Sequence, residues 1–157
     1  MNIIARPLAP DVFSRFGHVL EAPPDKPRRN EAATLFNGRP TAQPNLATIN
    51  APVVHLPLRI HQLERHPHST QTFVPLDVDE YLVITCVDDG AGRPALDYLS
   101  AFIANRCQGF NYGPNVWHHP ISTLVKPGSF AMLVWEDGTA SDCEFVTVTA
   151  EVTVVRG

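Results

Sequence analysis

From residue 46 to the end, this chain is a succession of short β-branched and aromatic runs cut apart by Gly, Pro and Asp clusters. Candidate strands fall at 46–50, 53–62, 72–75, 81–87, 99–104, 108–112, 121–125, 130–135, 143–148 and 152–155. Turn-forming clusters such as Asp88-Asp89-Gly90, Lys126-Pro127-Gly128 and Glu136-Asp137-Gly138 separate most of them. No helical pattern of ten to fifteen residues alternates with these runs, which excludes a parallel, doubly wound sheet. The pattern predicts an all-β, antiparallel barrel of the jelly-roll type, and 157 residues suit one domain covering 1–157. One short helix is expected near the N-terminus. There Pro10-Asp11-Val12-Phe13-Ser14-Arg15-Phe16-Gly17 offers an Asp cap, an i,i+4 pair at Val12 and Phe16, and Gly17 as a stop. Residues 21–45 carry five prolines and read as an extended arm.

Composition narrows the function classes. A net charge of -4 without any Lys/Arg-rich block argues against nucleic acid as a partner. The opening Met1-Asn2-Ile3-Ile4-Ala5-Arg6-Pro7 is not a signal peptide, and no apolar run is long enough to cross a bilayer. Cys86, Cys107 and Cys143 form no CxxC pair and read as reduced thiols of a cytoplasmic protein, with Cys86 a buried apolar filler. A phosphate-cradling loop, a nucleophile elbow and a basic stripe are all missing, so nucleotide-driven and covalent serine chemistry are not expected.

Two polar clusters interrupt the apolar runs: Glu64-Arg65-His66-Pro67-His68-Ser69-Thr70-Gln71, and Asn111-Tyr112 followed by Val116-Trp117-His118-His119-Pro120. Imidazoles and a carboxylate drawn from two distant segments are what a metal site or an acid–base pair requires. Period two from Leu56, Leu58 and Ile60 carries one strand face on through Gln62, Glu64 and His66, while Arg59, His61 and Arg65 point the other way. Leu63 is out of phase with that face, so a bulge there would reverse Glu64 and His66. His118 and His119 must face opposite ways; His118 is expected inside with Val116, and His119 outside with Trp117 as a hydrogen-bonded structural residue. His66, His68, Gln71 and His118 together resemble the metal-binding pattern of cupins, with Gln71 in the carboxylate's place. Such nitrogen and oxygen donors suit Ni, Fe, Mn or Zn. His66 and His118 are the central pair, either ligating a divalent metal or exchanging protons. Glu64 is a candidate general base or an orienter of His66.

The same clusters are similar to those of the ureidoglycolate lyase family. The resemblance rests on Glu64-Arg65-His66-Pro67 with Gln71, Phe73 and Pro75, on Ala101-Phe102-Ile103, on Gln108-Gly109, and on Asn111-Tyr112 with Asn115-Val116-Trp117-His118-His119-Pro120. Pro7-Leu8, Phe13, Phe16-Gly17 and Val19 extend it to the N-terminus. It implies a cupin-like homodimeric barrel, and a lyase that releases urea from (S)-ureidoglycolate to leave glyoxylate in allantoin breakdown. On that reading His66, His118 and Glu64 are catalytic, and Gln71, Asn111, Tyr112 and Arg65 bind the small carboxylate substrate. Asn50 and Ser100 stand where arginines are expected, Glu136-Asp137 replaces an Asp-Arg pair, and His68 replaces an apolar residue. Carboxylate binding would then pass to Arg65, Arg106 or a bound metal. The competing expectation is a divergent cupin that binds or transforms another small carboxylate.

Overall fold

The computed structural model describes residues 1–157. The strands in chain order are β1 (Asn2–Pro7), β2 (Gly17–Leu20), β3 (Gln43–Ala51), β4 (Leu58–Arg59), β5 (Gln62–Arg65), β6 (Gln71–Asp77) and β7 (Glu80–Cys86). They continue as β8 (Ser100–Asn105), β9 (Gly109–Tyr112), β10 (Trp117–His118), β11 (Ser122–Thr123), β12 (Gly128–Glu136), β13 (Glu144–Thr147) and β14 (Thr153–Arg156). They form a nine-stranded sheet, β13-β5-β10-β7-β8-β1-β14-β4 with β11 also on β7, and a five-stranded sheet, β2-β9-β6-β12-β3. The result is the expected cupin-like β-fold.

Two cores account for why the larger sheet is apolar on both faces. Between the sheets, Tyr81, Val83 and Phe102 meet Phe73, Phe110, Tyr112 and Phe130 from the smaller sheet, with Phe13 and Phe16 closing one end. On the far face of the larger sheet, Leu82, Ile84 and Cys86 alternate with the inward residues of β7 and pack on Ile60, Leu63, Trp117, Val148 and Val154. Ile60 and Leu63 both belong to the second core, with Leu56 and Leu58 packed against it, so the two-residue period expected to run from Leu56 to His66 breaks between β4 and β5. Within β5, Leu63 faces that core and Glu64 the opposite, inward side.

Three expectations change. β1 pairs in parallel with both β14 and β8, so the sheet is mixed rather than wholly antiparallel. The stretch 53–62 is not one strand: after Ala51 it holds only β4 and the start of β5, because Pro52 and Pro57 cannot donate to a ladder. The helix, α1, spans only Pro10–Phe13; its N-cap is Ala9, Asp11 lies in the first turn, and the residue it buries is Phe13. Gly17 opens β2 rather than merely stopping the helix, since a Cβ there would lie 1.9 Å from the Asn111 carbonyl oxygen. The arm ends in an ordered clasp on the segment that leads into β6: Phe36 exchanges bonds with Thr70, and Gly38 N–H donates to the His68 carbonyl at 2.8 Å.

Candidate functional site

The site is built by strand register. β10 lies antiparallel to β5 with His118 directly opposite Glu64, so both side chains leave the sheet on the same face. His66 lies two residues beyond Glu64 and shares that face. The turn before β10 sets the approach: Asn115 adopts φ 66°, a left-handed conformation that Asn tolerates, and its N–H donates to the His66 carbonyl at 2.9 Å. The two histidine segments are thereby stitched together through the backbone. Potential donor atoms of Glu64, His66 and His118 all lie within 4.8 Å of one another.

Hydrogen bonding decides which ring nitrogens face the cluster. His66 Nδ1 lies 2.8 Å from the Asp142 carbonyl, and His118 Nδ1 lies 2.9 Å from the Val116 carbonyl. A carbonyl oxygen only accepts, so each Nδ1 carries a proton, and either ring in its neutral form presents a bare Nε2. Both Nε2 atoms are buried without a hydrogen-bond partner. His118 Nε2 stands 3.5 Å from Glu64 Oε1, and the two imidazole rings stack at 5.7 Å between centroids. Two histidines with carbonyl-anchored Nδ1–H groups, plus one carboxylate, form a donor set that fits a divalent transition metal.

The electrostatics suit either use of these groups. Burial pushes the Glu64 carboxyl up, but once His118 takes a proton on Nε2 its hydrogen bond and charge, aided by His66 and His119, outweigh burial and leave the Glu64 pKa below the ordinary carboxylate value. Burial, followed by the charge of His118, lowers the pKa of His66. Tyr112 stacks on His118 at 4.2 Å between centroids, and burial, then Glu64 and Tyr81, hold its phenol well above the ordinary value. Tyr112 thus keeps its proton as a hydrogen-bond donor. Gln71, opposite Tyr112 in the β6–β9 ladder, is buried; its Nε2 contacts the Met132 sulfur at 3.3 Å and its Oε1 has no partner.

Several residues expected at the site stand elsewhere. His68 is exposed and outside the cluster, because Pro67 and His68 form a turn after β5. The carboxylate missing at Gln71 is supplied instead by Glu64. Asn111 alternates with Phe110 and Tyr112 and so faces away from the cluster; it accepts from the Thr72 hydroxyl at 2.6 Å and donates to the Thr34 carbonyl at 3.3 Å. Arg65 is likewise on the far face, lying over the Trp117 ring at 4.5 Å and bonded to Asp88 and Glu144. Arg106 lines a separate surface hollow with Pro75, Asp77 and Cys107. His119 is partly buried, its Nδ1 2.8 Å from the Pro120 carbonyl, and Trp117 is in the second core rather than on the outer surface. Sequence reasoning missed Asp142 and Val116, which act through backbone carbonyls and so leave no residue-type signal.

Comparison with known proteins gives this geometry a context. The chain is 31% identical over 152 aligned positions to a ureidoglycolate lyase of Pseudomonas fluorescens, covering 91% of this chain and 89% of the relative. It is also 31% identical over 161 aligned positions to a ureidoglycolate lyase of Escherichia coli, covering 94% and 95% respectively. The family profile described as ureidoglycolate lyase matches residues 1–155, and with these relatives it shows that the chain belongs to the ureidoglycolate lyase family.

Proposed function

We propose that this protein is a lyase that cleaves (S)-ureidoglycolate to glyoxylate and urea, as an enzyme of allantoin and purine catabolism. The observation that carries the reading is the pair of bare, buried Nε2 atoms facing Glu64 in a chain of this family. The reaction moves one proton from oxygen to nitrogen. As the hydroxyl of the carbinolamide carbon loses its proton, that carbon–oxygen bond becomes a carbonyl. The carbon–nitrogen bond breaks, and its electron pair takes up a proton to give urea. Glu64, held ionised by the neighbouring rings, accepts the hydroxyl proton. It returns that proton to the departing nitrogen.

Glu64, His66 and His118 would hold a divalent ion such as Ni, Mn, Fe or Zn, which would supply Lewis-acid polarisation of the α-hydroxy carboxylate. The need for such a group follows from the arginines. Arg39 is bound by Asp137 and Asp142, and Arg65 by Asp88 and Glu144. The charges acting on Glu64 come from His118, His66 and His119. Neither nearby guanidinium is free to clamp a substrate carboxylate. Gln71 Oε1 is the natural acceptor for a ureido N–H, and Tyr112 the natural donor.

The same reading includes a cytoplasmic homodimer, in keeping with three unpaired cysteines and with exposed Leu46, Val74 and Leu76 on the outer face of the smaller sheet. No helix is long and apolar enough to cross a membrane. The decisive experiment measures glyoxylate release from ureidoglycolate by wild-type and His118→Ala protein, with and without a chelator. Turnover by wild type and its loss in a folded variant are expected. A folded His118→Ala protein with full turnover would sink the assignment.

A further inference from the structure

We propose that Arg39 is a positioning residue for His66, acting from the arm through the loop that follows β12. His66 presents Nε2 to the site only while its Nδ1–H is held by the Asp142 carbonyl, at 2.8 Å. Asp142 ends a single 3-10 turn, Ala140–Asp142, within a connection, 137–143, that has no strand pairing of its own. What holds that carbonyl still is a charged clasp. The Asp142 carboxylate accepts backbone N–H bonds from Asp137 at 3.0 Å and Gly138 at 2.8 Å, closing the loop on itself. Arg39 then binds the closed loop with both Nη groups, one on Asp142 and the other on Asp137 at 3.0 Å.

The clasp is not a surface ion pair. The Arg39 side chain is 14% exposed, and its Nε is buried without a partner, so its grip rests on the two Nη contacts. Thr41, two residues along the arm, adds a hydroxyl bond to Asp137 at 2.9 Å. The arm is itself anchored, since Gly38 N–H is tied to the His68 carbonyl, and a local turn, Arg39 N–H to Asn37 Oδ1 at 3.0 Å, shapes it beside that tie. A continuous path of polar contacts thus runs from the arm to the back of a site imidazole. A planar guanidinium bridges two carboxylates in a way an ammonium cannot, so lysine is expected to serve only in part.

The arms of the test that use the metal and the ring nitrogens stand apart from the proposed lyase activity, on which only the turnover arm rests. Arg39→Met, Arg39→Lys and a control at an exposed pair, Arg93→Met, are compared with wild type. Ring-nitrogen NMR of the metal-free protein at mildly alkaline pH reads the His66 tautomer, and calorimetric titration with Ni(II) or Zn(II) reads the site. Arg39→Met is expected to give a mixed His66 tautomer and about 10–100-fold weaker metal binding, the usual effect of losing a partner behind a ligand. Arg39→Lys should fall between, Arg93→Met should match wild type, and kcat should fall with metal affinity. A folded Arg39→Met protein with the Nδ1–H tautomer intact and metal binding unchanged overturns the proposal. If Arg39→Met does not fold, Thr41→Val is held to the same expectation at smaller size, and an unchanged tautomer there overturns it equally. Should wild type show no lyase turnover, the functional reading fails while the tautomer measurement still decides the role of Arg39.

Discussion

Replacing Asn111 by Ala separates a framework role from a substrate-binding one. The side chain is fully buried, accepts from the Thr72 hydroxyl at 2.6 Å, and donates to the Thr34 carbonyl at 3.3 Å. Truncation strands a buried hydroxyl on β6 and removes one of the arm's few ties to the smaller sheet. A buried polar group left without its partner costs about 1–3 kcal/mol. The longer bond to Thr34 contributes at the lower end of the usual net range, about 0.5 kcal/mol. Together these predict a loss of about 2–3 kcal/mol, or roughly 4–12 °C in Tm for a chain of this size. Adding Thr72→Val removes the stranded hydroxyl with nearly the same shape, so the double variant should recover about 1 kcal/mol relative to the sum of the singles. Urea unfolding of the four proteins gives the cycle, and steady-state kinetics on ureidoglycolate give KM. An Asn111→Ala protein of wild-type stability with KM raised tenfold or more would refute the reasoning and return Asn111 to the substrate.

Gln71→Leu removes the orphan acceptor; it should raise KM for ureidoglycolate by roughly tenfold or more, about 1–3 kcal/mol of lost or unmatched bonding. A 2-hydroxy acid lacking the ureido group should bind wild type and variant alike, and equal losses for both ligands would count against the assignment. Asp137 has its carboxyl pulled down to about 2, first by the Thr139 and Thr41 hydroxyls and then by backbone and Arg39 contacts. Its folded pKa lies below the ordinary 3.8, so its contribution is complete above pH 3.8 and is lost as pH falls through about 2. Asp137→Asn should therefore flatten the acid limb of a stability-against-pH curve in that window, and an unaltered limb would contradict it. The Cys143 thiol is pushed up to about 12, by burial first and then by Glu64, Glu136 and other carboxylates, whereas Cys107 is exposed. Iodoacetamide at neutral pH should label Cys107 and spare Cys143, as peptide mass spectrometry would show.

How far the sequence could be read depends on whether one face or two of a strand are buried. β7 spells Tyr81-Leu82-Val83-Ile84-Thr85-Cys86, and every residue after Glu80 is buried: the apolar ones alternate between the two cores, and Thr85 donates its hydroxyl to the Trp117 carbonyl. A continuous apolar run of this kind declares a strand but says nothing of its partners. The mixed pairing of β1 was hidden for the same reason. Asn2–Pro7 has little β character alone, and it becomes a strand because β8 and β14 lie on either side of it. The arm looked structureless from its prolines, yet its last residues are ordered by bonds to partners about 30 to 100 positions away.

Glu64, His66 and His118 could be chosen from the sequence as imidazoles and a carboxylate in two polar clusters, and the two-residue period within β5 puts the first two on one face, although the longer period from Leu56 breaks between β4 and β5. Two residues apart on β5 means one face, and adjacent histidines on β10 mean only one can join them. The signal fails one bond further out. His66 and His118 are both aimed by backbone carbonyls, of Asp142 and Val116, and a carbonyl is present at every position. His68 was drawn into the ligand set by its two-residue spacing from His66, which resembles the cupin pattern, but the chain turns at Pro67 and His68, and the donor that completes the cluster, Glu64, lies four positions earlier within β5. The period holds only while the strand lasts, since a side chain can act only where its backbone points it. That limit also has a consequence for variants: transferring the carboxylate by the pair Glu64→Gln and Gln71→Glu should not restore metal binding lost in Glu64→Gln. Gln71 extends from the opposite sheet, where its amide meets Met132. Calorimetry on the single and double variants tests this, and recovered affinity in the double would show that the two sheets approach closely enough for either position to complete the donor set.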